Sequence, residues 1–212
     1  MKIIKNKNLS HVIGGFQFSD SYLDDTKHIL FQFSRYKFVS KMFDGFQNVL
    51  EVGASDGFYS QVVFKAVKNL TLTDIDVRGK NAYDFIDGKK KFILNDITKK
   101  SIPGKYDGIY MLDVLEHINP GKDENKALKN ICKSLKKDGS LIVGMPSLES
   151  QKYASKKTIK SGHVNCKTKK NLKLFLKNYF QNVFMFSMND EVLHTGYDQM
   201  SQYVIGLCTS KK

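Results

Sequence analysis

Residues 48–58, NVLEVGASDGF, constrain the fold more than any other stretch of the chain. Val49, Leu50 and Val52 surround Glu51 in a short apolar run of the kind that forms a fully buried parallel strand. Gly53, Ala54, Ser55, Asp56 and Gly57 then make a turn of small residues. After it, Phe58, Val62, Val63 and Val67 recur at helical spacing. A strand, a turn without bulky side chains and a helix together let a nucleotide-like ligand approach bare backbone. Glycine tolerates the dihedrals such a turn needs and leaves no side chain in the way.

The alternation continues along the chain. Residues 1–20 show no clear period and read as an arm over the domain. Across 22–43, Leu23, Ile29, Leu30, Phe33, Tyr36, Val39 and Met42 recur mostly at three- and four-residue steps, which predicts one or two amphipathic helices with Gly45 as a stop. Residues 1–46 are therefore expected to form an N-terminal arm and helix packed on the domain, and 47–212 one compact unit. A second strand over 70–74 ends in Asp74, and the polar stretch 77–90 allows a turn or two of helix. A third strand over 92–94 leads into Asn95, Asp96 and Ile97, and a fourth over 106–112 ends at Asp113. A helix over 124–135, a turn at Asp138 and Gly139, a strand over 141–145, a helix over 170–179 and strands over 183–188 and 203–208 complete the pattern. The expected fold is α/β: a single Rossmann-like, doubly wound, mostly parallel seven-stranded sheet. In such sheets ligands bind outside the carboxyl ends of the strands, and Ser55, Asp74, Asn95, Asp96 and Asp113 all follow strand ends on that edge.

Composition narrows the setting. A chain of 212 residues buries a core without disulfides. Cys132, Cys166 and Cys208 are scattered and odd in number, as expected of reduced thiols in a cytoplasmic protein. His163 and Cys166 form a single HxxC pair with no second pair to complete a zinc site. The basic start MKIIKNKNLS has no apolar run behind it, and no stretch is long enough to span a bilayer, so neither secretion nor membrane insertion is expected. The net charge of +13 raises the question of nucleic acid. The lysines are spread thinly from Lys2 to Lys212, with no arginine-rich block and no basic motif interleaved with aromatics. That pattern reads as a solvated surface, whose field also attracts a small anionic substrate.

A dinucleotide fingerprint needs glycines at 53, 55 and 58, where this chain has Gly53, Ser55 and Phe58, and no P-loop Gly-Lys-Ser/Thr is present. A ligand with an adenosine but no phosphates fits better. Asp74 lies about 20 residues beyond the glycine turn, the spacing at which a carboxylate reaches ribose hydroxyls. With Glu51-Val52-Gly53-Ala54-Ser55-Asp56-Gly57, Asp74, Asn95-Asp96-Ile97, Tyr106-Asp107 and Leu112-Asp113-Val114-Leu115-Glu116-His117-Ile118 in this order, followed by Leu135-Lys136-Lys137-Asp138-Gly139, the chain resembles the class I S-adenosylmethionine-dependent methyltransferases. It departs from them at Ser55, where the family has the middle glycine of its first motif.

The resemblance implies S-adenosyl-L-methionine as cofactor and S-adenosyl-L-homocysteine as product. It implies a cofactor site built from Glu51, Gly53, Ala54, Ser55, Gly57 and Phe58 of the first motif, with Asp74 on the ribose and Ile75 under the adenine. Asn95, Asp96 and Ile97 would lie beside the adenine amine and Asp113 near the methionine amine, with Arg35 or Tyr36 reaching the cofactor carboxylate. His117, His163 and His194 are the candidate general bases for a hydroxyl acceptor, since histidine titrates near neutral pH. No metal is assigned. As an alternative, Asp113, Glu116 and His117 stand at i, i+3 and i+4, a pattern similar to that of family members that bind a divalent ion. The pairing of Gly162-His163-Val164-Asn165 with Phe184-Met185-Phe186-Ser187-Met188-Asn189-Asp190-Glu191 resembles a bacterial subgroup associated with surface-polysaccharide and capsule biosynthesis. It implies O-methylation of a small acceptor: a sugar, a nucleotide-activated sugar or a nucleotide-linked intermediate such as a phosphoramidate. The base-methylating Asn/Asp-Pro-Pro-aromatic motif and a Pro-Cys pair are both missing, which disfavours the common nucleic-acid chemistries. An RNA-directed methyltransferase and a non-catalytic cofactor-binding partner protein stay as the competing readings.

Overall fold

A computed structural model describes residues 14–82, 91–154 and 162–212. Strands β1 (Asn48–Val52), β2 (Asn69–Asp74), β3 (Lys91–Leu94), β4 (Tyr106–Leu112), β5 (Leu135–Pro146), β6 (Phe180–Asn189), β7 (Val192–His194) and β8 (Tyr203–Lys211) form one sheet in the order β3-β2-β1-β4-β5-β8-β6-β7. Strands β1 to β5 pair in parallel, β8 runs antiparallel to both β5 and β6, and β7 is antiparallel to β6. The strand order reverses between β1 and β4, where such a sheet opens a crevice at its carboxyl edge.

Side-chain alternation explains why the strands read as unbroken apolar runs. Ile109 and Met111 of β4 enter one core with Ala127, Leu128 and Ile131 of helix α5 (Lys122–Ser134) and Leu172 and Leu176 of α6 (Lys169–Lys177). Tyr110 and Leu112 enter the opposite core, with Ile29, Phe38, Val39 and Phe43 from α2 (Lys27–Met42) and the stretch after it. A strand covered on both faces needs apolar residues at every position rather than at alternate ones. Among the described residues, no helix is long and apolar enough to cross a membrane.

Several elements differ from the expected ones. The sheet has eight strands rather than seven, because the polar stretch after β6 turns back at Asp190 (φ 50°) and pairs Val192 with Asn189. Three residues at a sheet edge carry too little apolar periodicity to be read as a strand. Residues 16–20, assigned to the aperiodic arm, belong to helix α1 (Phe16–Asp24). Its first turn is held from a distance: Asp56 accepts from Gln17 N at 2.6 Å and Phe18 N at 3.4 Å. Residues 1–13 of that arm, and part of the polar stretch 77–90, lie outside the described residues. The helix after the glycine turn shrinks to a single turn, α3 (Gln61–Phe64), and α4 (Arg78–Ala82) follows β2. Strand β5 begins at Leu135, where helix α5 ends, and not at 141. Its Asp138 and Gly139 lie within a register shift, where Tyr106 pairs with Leu135 and Gly108 with Ser140.

Glu51 sits in β1 on the α2 side of the sheet with 1 % exposure. Tyr36 donates its hydroxyl to Oε1 at 2.6 Å and Tyr110 to Oε2 at 2.5 Å, which ties α2, β1 and β4 together. Burial pushes its pKa up to about 7, although the two hydroxyl donors pull in the opposite direction. A carboxyl whose folded pKa exceeds its unfolded value binds more protons in the folded state. Its contribution is therefore largest in acid and is lost as pH rises from about 4.5 to about 7. The loss for this one group approaches ~3 kcal/mol. Urea unfolding at pH 5 and pH 8 checks this: Glu51→Gln should show a pH difference smaller than wild type by an amount of this order.

Candidate functional site

The turn after β1 is shaped by three left-handed residues, Gly53 (φ 82°), Ser55 (φ 50°) and Gly57 (φ 70°). Glycine is required at 53 on two counts, since a Cβ there would meet Val114 Cγ2 at 2.1 Å. Ser55 adopts the conformation without glycine's freedom, and its N–H donates to Asp74 Oδ2 at 2.7 Å. Asp74 Oδ1 accepts from Asp76 N at 2.8 Å. One carboxylate at the end of β2 thus fixes both the glycine turn and its own loop.

Between these loops lies a cavity of about 440 Å³. Of the residues anticipated from the sequence, Gly53, Ser55, Asp74, Ile75, Asn95, Asp96, Ile97, Asp113 and His117 line it. Ile75 is 72 % exposed, an apolar face beside a carboxylate, as a nucleoside base and its ribose need. Asp96 accepts from Thr98 N at 2.9 Å and from Thr98 Oγ1 at 2.6 Å, and pairs with Lys99 at 3.1 Å. Partial burial opposes its charge, but the Thr98 hydroxyl and Lys99 hold the carboxyl below its usual range. Asn95 Oδ1 and Thr73 Oγ1 are buried without protein partners, and both residues belong to the cavity wall. Two orphaned acceptors beside an adenosine-sized cavity fit a ligand that brings its own donors. Thr73 was passed over in the sequence, where its one signal is a hydroxyl inside the apolar β2 run.

Glu51, Ala54, Gly57, Phe58, Arg35 and Tyr36 do not line the cavity. The Tyr36 hydroxyl is spent on Glu51, and Phe58 packs on Phe18 with ring centroids 4.4 Å apart. Arg35 Nη1 donates to both Asp113 oxygens, at 3.1 and 2.9 Å, and its guanidinium lies 3.8 Å from the centroid of the Tyr203 ring. The structure thus gives Arg35 a carboxylate of its own, in place of the cofactor carboxylate anticipated for it. Asp113 itself holds φ 55° while its N–H still donates to Gly144 O at 3.0 Å.

The three candidate histidines separate. His194 is in β7 at the far edge of the sheet, its Nε2 2.6 Å from Asn189 Oδ1 and its Nδ1 accepting from Gly196 N at 3.2 Å, and it does not line the cavity. His117 and His163 meet, with ring centroids 5.1 Å apart. The segment after β5 returns beside the short helix Leu115–His117, where Val164 N and Asn165 N donate to Glu116 O at 2.8 and 3.0 Å. Asn165 and Lys167 also bond Glu124 Oε2, at 2.8 and 2.9 Å, which anchors the returning segment to α5. Residues 155–161 of that segment lie outside the described residues. The anticipated Asp113–Glu116–His117 set does not come together, because Arg35 holds Asp113. His163 takes its place: donor atoms of Glu116, His117 and His163 lie within 4.8 Å of one another. Cys166 is not part of that group.

Residues 23–183 match the family described as "Methyltransferase domain", and the chain belongs to that family. Comparison with curated proteins gave no match. The N-methyltransferase NodS from Bradyrhizobium japonicum, solved with S-adenosyl-L-homocysteine, aligns at TM-score 0.63 and 18% identity over 89% of this chain and 90% of that one. The plantazolicin methyltransferase BpumL, solved with a monoazolic desmethylPZN analog and S-adenosyl-L-homocysteine, aligns at 0.67 and 12% over 92% and 88%. A methyltransferase from Clostridium acetobutylicum described as S-adenosylmethionine-dependent aligns at 0.67 and 13% over 91% and 97%. Fold and family together make this protein a methyltransferase of the S-adenosylmethionine-dependent class.

The Arg35–Asp113 pair is largely desolvated, with side chains 12% and 25% exposed, so removing one partner strands the other charge. Arg35→Leu should lower the unfolding free energy by about 3 kcal/mol. The double variant Arg35→Leu/Asp113→Asn should recover part of that loss. Urea titration of these two variants and of Asp113→Asn alone checks the coupling, and strictly additive losses would mean the pair does not act as a unit.

Proposed function

We propose that the protein methylates an oxygen of a small, anionic acceptor: a sugar, a nucleotide-activated sugar or a nucleotide-linked intermediate such as a phosphoramidate. The setting would be bacterial surface-polysaccharide or capsule biosynthesis in the cytoplasm. The observation that carries this reading is His117 on the cavity wall, with His163 held against it by the segment that follows β5. A lone amine acceptor does not need such a proton-accepting pair once it is neutral, whereas a hydroxyl does.

When bound, S-adenosylmethionine supplies a methyl group already activated on a sulfonium, which leaves alignment and exclusion of water to the protein. Asp74 would accept from the ribose hydroxyls with the lone pairs not used by Ser55 N and Asp76 N. Ile75 would cover the adenine, and Asp96 with the backbone of Ile97 would meet its amine. The turn from Gly53 to Gly57 would bring bare backbone to the methionine part, and Asp113 would border its amine. At His117, the Gly162 carbonyl 3.3 Å from Nδ1 accepts only if that nitrogen carries the proton, so Nε2 is the basic atom. Asp113 lines the cavity, held by Arg35, whose guanidinium lies over the Tyr203 ring. The net charge of +13 favours encounter between the chain as a whole and an anionic acceptor.

Methyl transfer assayed against nucleotide sugars, nucleotide-linked capsule intermediates and total RNA tests the proposal. Turnover on a small nucleotide- or sugar-linked acceptor is the expected result. Turnover on RNA alone, with affinity falling steeply in salt, would overturn it. In the same assay His117→Ala should reduce kcat far more than cofactor affinity. Asp74→Ala should weaken S-adenosylmethionine binding by on the order of 1–2 kcal/mol for each hydroxyl bond lost, read by calorimetry.

A further inference from the structure

The geometry points to a divalent transition-metal site formed by Glu116, His117 and His163 at the acceptor end of the cavity. Glu116 is 0 % exposed, and neither of its carboxylate oxygens has a hydrogen-bond partner. A buried carboxylate with two orphaned oxygens is costly unless something pairs with it. His117 Nε2 lies 4.0 Å from Oε1, too far for a hydrogen bond. His163 completes the set within 4.8 Å. Tetrahedral metal–ligand bonds of ~2.1 Å place donors ~3.4 Å apart, so binding an ion would draw the three groups together by roughly an ångström.

The outer nitrogens of both rings carry the second observation. His117 Nδ1 is 3.3 Å from Gly162 O, and His163 Nδ1 is 3.0 Å from Gln151 Oε1. With each Nδ1 donating to an oxygen, both Nε2 atoms present free lone pairs. An oxygen acceptor on the outer nitrogen is the arrangement that orients a metal-bound imidazole and fixes its tautomer. Glu116 is locked as well, since its carbonyl accepts from Val164 N and Asn165 N of the segment that carries His163. Two imidazoles and one carboxylate suit manganese, cobalt or zinc ions better than magnesium, which prefers oxygen ligands and retained water.

Three protein ligands leave coordination positions open toward the cavity that His117 lines. An acceptor hydroxyl bound there loses its proton to solvent at lower pH, and its oxygen lone pair takes the methyl carbon as the sulfur–carbon electron pair returns to sulfur. This catalytic consequence rests on the O-methyl reading, and in it His117 acts through the ion rather than directly as base. Ion binding itself does not rest on that reading.

Titration of the chelator-treated full chain with Mn²⁺, followed by electron paramagnetic resonance, is the test. Wild type should bind one ion, and Glu116→Gln and His163→Ala should each weaken binding at least tenfold. Calorimetry with S-adenosyl-L-homocysteine on the same variants should show unchanged cofactor affinity, which separates loss of ligands from loss of fold. Equal Mn²⁺ affinity in wild type and both variants would overturn the site. Undiminished, His117-dependent turnover in the chelator-treated enzyme would overturn the ion's part in catalysis. Tight Mn²⁺ binding without turnover on any hydroxyl acceptor would uphold the site and count against the O-methyl reading alone.

Discussion

The bond between Arg35 and Asp113 organises the active edge of this protein. Asp113 ends β4 in a left-handed conformation beside the glycine turn, and Arg35 comes from helix α2, far away in sequence. The guanidinium also lies over Tyr203 of β8, so one cation joins helix α2, the end of β4 and the antiparallel part of the sheet. Arginine suits this position because its planar, weakly hydrated head stacks on a ring while donating to a carboxylate. Without that charge Asp113 would face the buried Glu116 with no compensation, and burial followed by Asp113 already pushes the Glu116 pKa well above its usual value. Arg35 therefore acts mainly through Asp113, which lines the cavity.

Much of this edge was legible in the sequence because its elements are local. A strand, its turn and the first polar residue beyond it lie within a few positions of one another, so Gly53, Asp74, Asn95, Asp96 and Asp113 could be placed on one sheet edge from spacing alone. Contacts between distant segments were harder. Arg35 and Tyr36 were both singled out, but only the folded chain shows that Asp113 and Glu51 take up their polar groups. Asp56 read as a turn residue because nothing near it in sequence reveals that it caps α1. His117 and His163 were each identified as candidates, while their meeting depends on the backbone bonds from Val164 and Asn165 to Glu116. Strand β7 was missed because a three-residue edge pairs through its backbone, which the side-chain pattern does not report.

The fold does not select the acceptor atom. Its relatives in structure include an N-methyltransferase and a carbon methyltransferase, at identities that speak to the fold alone. Selection has to come from what each chain adds around the shared cavity. In this chain the groups beside His117 come from residues between β5 and α6. That segment carries His163 and Gln151 to the end of the cavity where His117 lies.

A crystal structure of the protein with S-adenosyl-L-homocysteine tests the central claim most directly. The account places the ribose hydroxyls within hydrogen-bond distance of the Asp74 carboxylate, the adenine on Ile75, and the sulfur facing His117. A ligand bound with its ribose away from Asp74, or with the sulfur turned from the His117 and His163 pair, would contradict it.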